Sequence, residues 1–442
     1  MTCPRELAPH PAGTPSHGAS AWSRVPSGTD RRDDHVRRLI RDTTLLYVLY
    51  AFKLLSPLLI VPLLAHKLTR DVLGQFAICV SIASTVAVAI ELGFGLSATR
   101  VATGRRAPYQ RKINNAVLST RLAGAVVALP ICLAVTTVIL KRHDATVIVI
   151  ALLIWAAAVC GGLTNFWFFQ ANDGLPTLAA MELLGIASAT GFVLVFARSL
   201  PSALIGNLLI QAVPLAVTMA VVSRRLGGIK LSVASAVRGW RLTREMAKFR
   251  LMTTSYTSAV PAVLGALLPA AYIAPFYIAE RFVRAITAGF IPVTNIAYPK
   301  MCALRARSPE RHTKVTHLML YAAAVAGTLA GVIVTLCSTR VAAMLSPAAL
   351  VPEVARHLGR LVWIMPPLAV STVLGNLFLL PRGQDRVFNR IILASALCGF
   401  CLVWVLPARL GASGAVVAIL AAEIVAAIAM LQIYFGARRH DI

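Results

Sequence analysis

From residue 43 onward the chain repeats one pattern: an apolar run of about 20 residues, a short polar connection, and another apolar run. The pattern is clearest from Pro57 to Thr103, where two such runs flank the polar hinge between His66 and Asp71. A hydrocarbon layer about 30 Å thick is crossed by roughly 20 helical residues, so this stretch predicts a transmembrane hairpin. Applied to the whole chain, the same reading predicts twelve spans, near 43–65, 74–98, 116–140, 146–170, 176–197, 202–222, 251–273, 278–299, 317–337, 359–380, 389–406 and 413–435. The expected fold class is therefore an all-α polytopic membrane protein. Residues 1–42 are rich in Pro, Ser, Gly, His and Arg without apolar periodicity, which predicts a disordered cytoplasmic tail.

Composition agrees with the pattern. Of 442 residues 58% are hydrophobic and 14% charged, and the mean hydropathy is +0.75, a balance that places most of the chain in lipid. The net charge of +26 would suggest nucleic-acid binding in a soluble protein. Here the basic residues gather in alternate connections between apolar runs, and no nucleic-acid partner is expected. With the first tail inside, about 30 Lys and Arg fall on one side, as the positive-inside rule requires. Both termini are then cytoplasmic, with membrane lipids as neighbours on every side. The longest basic connection, 223–250, divides the spans into lobes at 43–222 and 251–436, with a last tail at 437–442. Two readings of this linker stand: an amphipathic helix on the inner leaflet through Trp240, Met246 and Phe249, or a solvated loop.

Few residues inside the spans carry chemistry. Lys53 lies mid-span, where a lipid-facing cation costs roughly 2.5 to 3.5 kcal/mol; it predicts either a wet cationic site or an ion pair with Glu91, Glu182 or Glu423. Glu91 shares a helix face with Ser81 and Ser84, and is a candidate ion-coupling carboxylate or an interhelical hydrogen-bonding group. Asn207 and Gln211, four apart, could contact sugar hydroxyls or join two helices. Arg121 is a second in-span cation. Glu280, Arg281 and Arg284 are placed near the outer face, with Arg284 deepest. Glu182 and Glu423 are lone in-span acids, taken as further ion-coupling candidates. The run Phe166–Phe169 is read as an interfacial aromatic belt. His66 and Asp71 match an acyltransferase spacing but have no supporting catalytic residues, and Gly93 and Gly95 are read as close helix packing. No catalytic or metal-ligating residue is assigned.

Four segments resemble the Wzx-type polysaccharide flippases of the MOP transporter superfamily. They are Leu68-Thr-Arg-Asp-Val-Leu-Gly-Gln-Phe-Ala77 with Glu91-Leu-Gly-Phe-Gly-Leu-Ser97; Asn165-Phe-Trp-Phe-Phe-Gln170; Phe276 to Ala285 with Phe290 to Pro299; and Leu374-Gly-Asn-Leu-Phe-Leu-Leu-Pro-Arg-Gly383. They lie in the family's order across nearly all of the membrane region. One departure is Ala259-Val-Pro-Ala-Val263, where many relatives carry Asn or Asp. The resemblance implies two six-helix bundles around a V-shaped central cavity, and movement of a polyprenyl-diphosphate-linked oligosaccharide across the bacterial inner membrane.

The expected function is thus a lipid-linked oligosaccharide flippase working by alternating access, with Lys53, Arg121, Asn207, Gln211 and Arg284 as cavity residues. With no Walker motif and no cofactor expected, a proton or sodium gradient is the predicted drive, and a polysaccharide polymerase or export machinery a possible partner. A small-molecule antiporter of the same superfamily is the alternative. A membrane glycosyltransferase or polymerase would need a large external loop or an acidic cluster, and neither is seen; a non-transporting scaffold is left less attractive by the in-span charges.

Overall fold

The computed structural model describes residues 58–141, 144–172 and 174–440, which are helical with no strand. The expected first tail, Lys53 and most of the first span lie outside the described residues. The first half comprises α1 (Leu58–Lys67), α2 (Arg70–Glu91), α3 (Phe94–Ala102), α4 (Ala107–Leu140), α5 (Ala145–Gly162), α6 (Phe166–Ala171), α7 (Leu175–Phe196) and α8 (Leu200–Leu226). Then come α9 (Val233–Ser258), α10 (Val260–Leu267), α11 (Ile273–Thr287), α12 (Phe290–Arg307), α13 (Pro309–Leu336), α14 (Ser338–Leu345), α15 (Val351–Leu361), α16 (Met365–Val373), α17 (Asp385–Val405), α18 (Pro407–Leu410) and α19 (Ala412–His440).

Among the described residues nine helical stretches are long and apolar enough to cross a membrane. Each matches one predicted run, and the chain is a multi-pass membrane protein. Large apolar side chains such as Val126, Leu318, Leu329 and Leu336 are exposed, the arrangement hydrocarbon favours and water does not. The predicted seventh and eighth spans are instead broken. Pro261 has no N–H for the helical ladder, and α9 gives way to α10 just before it. Leu268 is extended (φ −129°, ψ 152°) ahead of Pro269, as a residue before proline prefers. Pro275, in the first turn, then opens α11. A second break at Ala288 and Gly289 separates α11 from α12.

Helix α2 is central. It packs along α5 within the first half, and at one end it meets the Ala270–Tyr272 turn, α10 and α11 of the second. Gly74 makes that approach possible: a Cβ there would stand 1.8 Å from the Ala270 carbonyl oxygen. Gly74→Ala must therefore push the two segments apart, at a cost of about 1–3 kcal/mol, and a lowered melting temperature of the purified protein checks this. Phe76 meets Tyr277 edge-on nearby, with ring centroids 6.3 Å apart. Within the second half α13 packs on α16, and α17 and α16 on α19.

The linker 223–250 is mostly helical, not a loop. Gly227 turns the chain with φ 72°, and α9 then lies against α4 and α2. Gly239 brings α9 so near that a Cβ would meet Thr120 Oγ1 at 2.2 Å. Of the apolar residues expected on its membrane face, Trp240 is 47% exposed, whereas Met246 packs beneath Gly93.

Candidate functional site

A row of cavities begins between the two halves and continues into the second. The first has a volume of about 340 Å³ and is bounded by Val80 and Ser84 of α2, Glu182 of α7, Asn207 and Gln211 of α8, and Tyr277 and Arg281 of α11. A smaller one of about 80 Å³ shares Ser84 and Arg281 with it and adds Ser258, Pro261, Glu280 and Arg284. The third, about 190 Å³, shares Glu280 and Arg284 and reaches Glu423 of α19. The shared side chains Ser84, Arg281, Glu280 and Arg284 set the three cavities side by side, a polar path from α7 and α8 towards α19 with α11 at its centre.

The α11 helix explains how. It starts at Ile273, five residues before the predicted span, so Arg281 and Arg284 stand in its third turn or just beyond, instead of at the start of the helix. Their spacing of three puts both on the cavity side. The Arg281 guanidinium lies over the Tyr277 ring, 4.8 Å from its centroid, which partly offsets its desolvation. Its Nε is buried without a protein partner, as is Oε2 of Glu280. Arg284 donates from Nε (2.9 Å) and Nη2 (2.6 Å) to the same Glu280 oxygen, Oε1. The site thus offers guanidinium groups and unsatisfied polar atoms where water or an oxygen-rich ligand can enter.

Asn207, Gln211 and Glu182 line the first cavity, and Arg284 and Glu423 the third, so five of the predicted residues share one path. Arg121 and Glu91 do not join them. Arg121 is only 1% exposed; its Nη1 donates to the Thr164 carbonyl (2.8 Å) and its Nη2 to Glu91 Oε1 (3.3 Å). The guanidinium also lies over Phe94, 5.4 Å from the ring centroid. Glu91 lies two turns beyond Ser84 along α2. Its carboxylate accepts from the N–H groups of Gly93 (2.9 Å) and Gly95 (2.5 Å) and so sits at the N-terminus of α3, where a helix favours negative charge. Gly93, with φ 75°, makes the turn, and Leu92 is also left-handed at φ 55°. Arg121 is thus a buried strut, not a cavity cation.

Ser81 has a third task. It donates to the Ser258 carbonyl (2.5 Å) and accepts from the Ala262 N–H (3.1 Å), satisfying backbone groups freed by the break between α9 and α10. The aromatic run also departs from expectation. Trp167, Phe168 and Phe169 are 0–3% exposed and pack with Phe94 in a closed cluster, not in a lipid-facing belt. Arg281, placed near the outer face by the sequence, is the cavity residue that sequence reasoning left out of the site. The signal for it was Pro275, which starts the helix early enough to carry Arg281 inside.

At the end where α2 meets α11, the halves are joined by charge. Arg70 donates to both oxygens of Glu353 on α15, at 2.8 and 2.5 Å, and to the Ala271 carbonyl at 2.7 Å.

No protein-family model matches the chain. Over 411 residues it is 23% identical to a Shigella dysenteriae protein described as "Putative O-antigen transporter", covering 89% of this chain and 99% of that one. Among solved structures it is similar to the lipid II flippase MurJ in an inward closed conformation, with a TM-score of 0.72 and 10% identity over 89% of this chain and 87% of that one. It is similar also to a multidrug resistance MATE family transporter of the MOP superfamily, inward-facing, with a TM-score of 0.65 and 14% identity over 87% and 94% of the two chains. The chain therefore has the fold of the MOP-superfamily transporters, in agreement with the resemblance carried by its motifs.

Proposed function

We propose that the protein is a transporter that flips a polyprenyl-diphosphate-linked oligosaccharide across the bacterial inner membrane, its basic end and both termini facing the cytoplasm. The observation that carries this reading is the arginine-bearing polar path between the halves of a MOP fold. A diphosphate in hydrocarbon loses its hydration and must find replacement donors. Arg281 and Arg284 supply them, while Asn207 and Gln211 offer hydrogen bonds to sugars and the polyprenyl chain stays in lipid. Lys53 is retained as a cation candidate on sequence grounds. The full-length O-antigen transporter relative supports the same substrate class. A chromosomal deletion tests it: lipid-linked precursor should accumulate and surface polysaccharide disappear, as read by mass analysis, and unchanged levels of both would rule the flippase out.

In this reading the protein works by alternating access, which is supported by the first cavity opening between the halves. The Arg70–Glu353 pair is the latch at the outer end. Each partner is about one-third exposed, so the pair is worth roughly 1 kcal/mol or less. Arg70→Ala should raise labelling of an engineered Ser84→Cys by an impermeant external thiol reagent by up to roughly fivefold; identical labelling rates would remove the latch. A proton or sodium gradient drives the cycle in this reading, with Glu182 and Glu423 as the carboxylates placed to sense it. Likeness to a MATE transporter favours one rival, cation-coupled antiport of small molecules, which drug-resistance assays on the deletion strain would reveal.

A further inference from the structure

A further cavity, of about 520 Å³, lies apart from the polar path. Its walls are Val86 and Ile90 of α2 and Val127 and Ile131 of α4, and its floor is Val237 and Trp240 of α9. The α2 helix separates the two sites. Val80 and Ser84 face the polar path, and Val86 and Ile90, two and six residues past Ser84, fall on the other side of the helix. Thr120 is the one polar side chain in the lining, and its hydroxyl is already committed to the Ala116 and Ala236 carbonyls, at 2.8 and 2.9 Å. The groove can therefore take hydrocarbon and little else. Along α4 it runs from Thr120 to Ile131, a rise of about 16 Å at about 1.5 Å per residue. Val127 and Ile131 are 62% and 50% exposed, so it is open to the bilayer.

Charge at the mouth selects the occupant. Arg241 and Arg244 follow Val237 and Trp240 on α9 by four residues each, the spacing that keeps them on the same face, and both are exposed. This part of α9 belongs to the basic connection, the kind of segment that anionic headgroups attract. We propose that the groove binds an anionic phospholipid of the bilayer, one acyl chain lying between α2 and α4 and the phosphate resting on Arg241 and Arg244. The bulk bilayer is the source, not the transported lipid, because a headgroup held at Arg241 cannot also reach Arg281 on the far side of α2. The site stands whatever the polar path carries.

Gly124 provides the test. A Cβ at Gly124 meets nothing nearer than Ile90 Cα at 3.9 Å, and Gly124 lines the groove, so Gly124→Leu places its side chain in the space the acyl chain would take. The purified full-length protein is titrated with phosphatidylglycerol, phosphatidylcholine or undecaprenyl phosphate and bound lipid is counted by native mass spectrometry. Phosphatidylglycerol should bind the wild type at least fivefold more tightly than phosphatidylcholine, at about fivefold per basic residue near a headgroup. Gly124→Leu should weaken phosphatidylglycerol about tenfold, and Arg241→Gln should reduce the preference for it about fivefold. If Gly124→Leu does not fold, Val127→Trp, at an already lipid-facing position, takes its place. Equal binding of the two phospholipids, binding indifferent to the groove substitution, or tighter groove-dependent binding of undecaprenyl phosphate overturns the proposal.

Discussion

Arg281→Gln is expected to reduce surface polysaccharide to the level of a deletion strain while leaving the protein folded in the membrane. The guanidinium stands on α11 where two cavities meet, and its Nε has no protein partner. Contact with a diphosphate would supply two charge-assisted hydrogen bonds, each worth about 1.5–3 kcal/mol, so losing them costs at least about a hundredfold in affinity. Arg281→Lys keeps the charge but loses the planar fork and should retain part of the activity. Thermal stability close to wild type, with lipid-linked precursor accumulating, is the expected pair of results. Normal polymer in Arg281→Gln would move the phosphate site elsewhere, with Lys53 the next candidate.

The second large effect is on stability. Glu91→Ala leaves the Arg121 guanidinium buried with only the Thr164 carbonyl as hydrogen-bond partner. It also strips the acceptor from Gly93 and Gly95 at the start of α3. Breaking a buried pair on one side costs about 3–5 kcal/mol, whereas replacing both partners with apolar groups is often neutral. Glu91→Ala should thus melt far below wild type, and the double variant Glu91→Ala with Arg121→Leu should recover much of the loss. Differential scanning fluorimetry in detergent reads both. If Glu91 serves instead as an ion-coupling carboxylate, Glu91→Ala would melt normally and transport would lose its dependence on the gradient.

These two residues show what kind of information the sequence holds. Glu91 and Arg121 are visible as charges inside apolar runs, and the cost of such charges says that they must be shielded. It does not say whether water, a ligand or each other does the shielding. That depends on α2 and α4 lying side by side, a contact between residues 30 apart in the chain. Asn207 and Gln211 were legible because their spacing of four is local to one helix. Arg281 was hidden by a boundary error of five residues at a helix start, enough to turn a cavity cation into a surface one. The aromatic run Phe166–Phe169 misled for a related reason, since a buried helix and an interfacial one present the same apolar composition.

The sequence by itself determined that this is a polytopic helical membrane protein, and nine of its predicted runs have apolar helical counterparts among the described residues, because crossing hydrocarbon demands a continuous length of apolar residues. Only the tertiary structure decided which helices face lipid and which face protein. Hydrocarbon tails and apolar side chains solvate a Leu or Val almost equally, so no pattern along the chain separates them. The breaks around α10 and α11, the pairing of Arg121 with Glu91 and the polar path centred on Arg281 all arise from that packing.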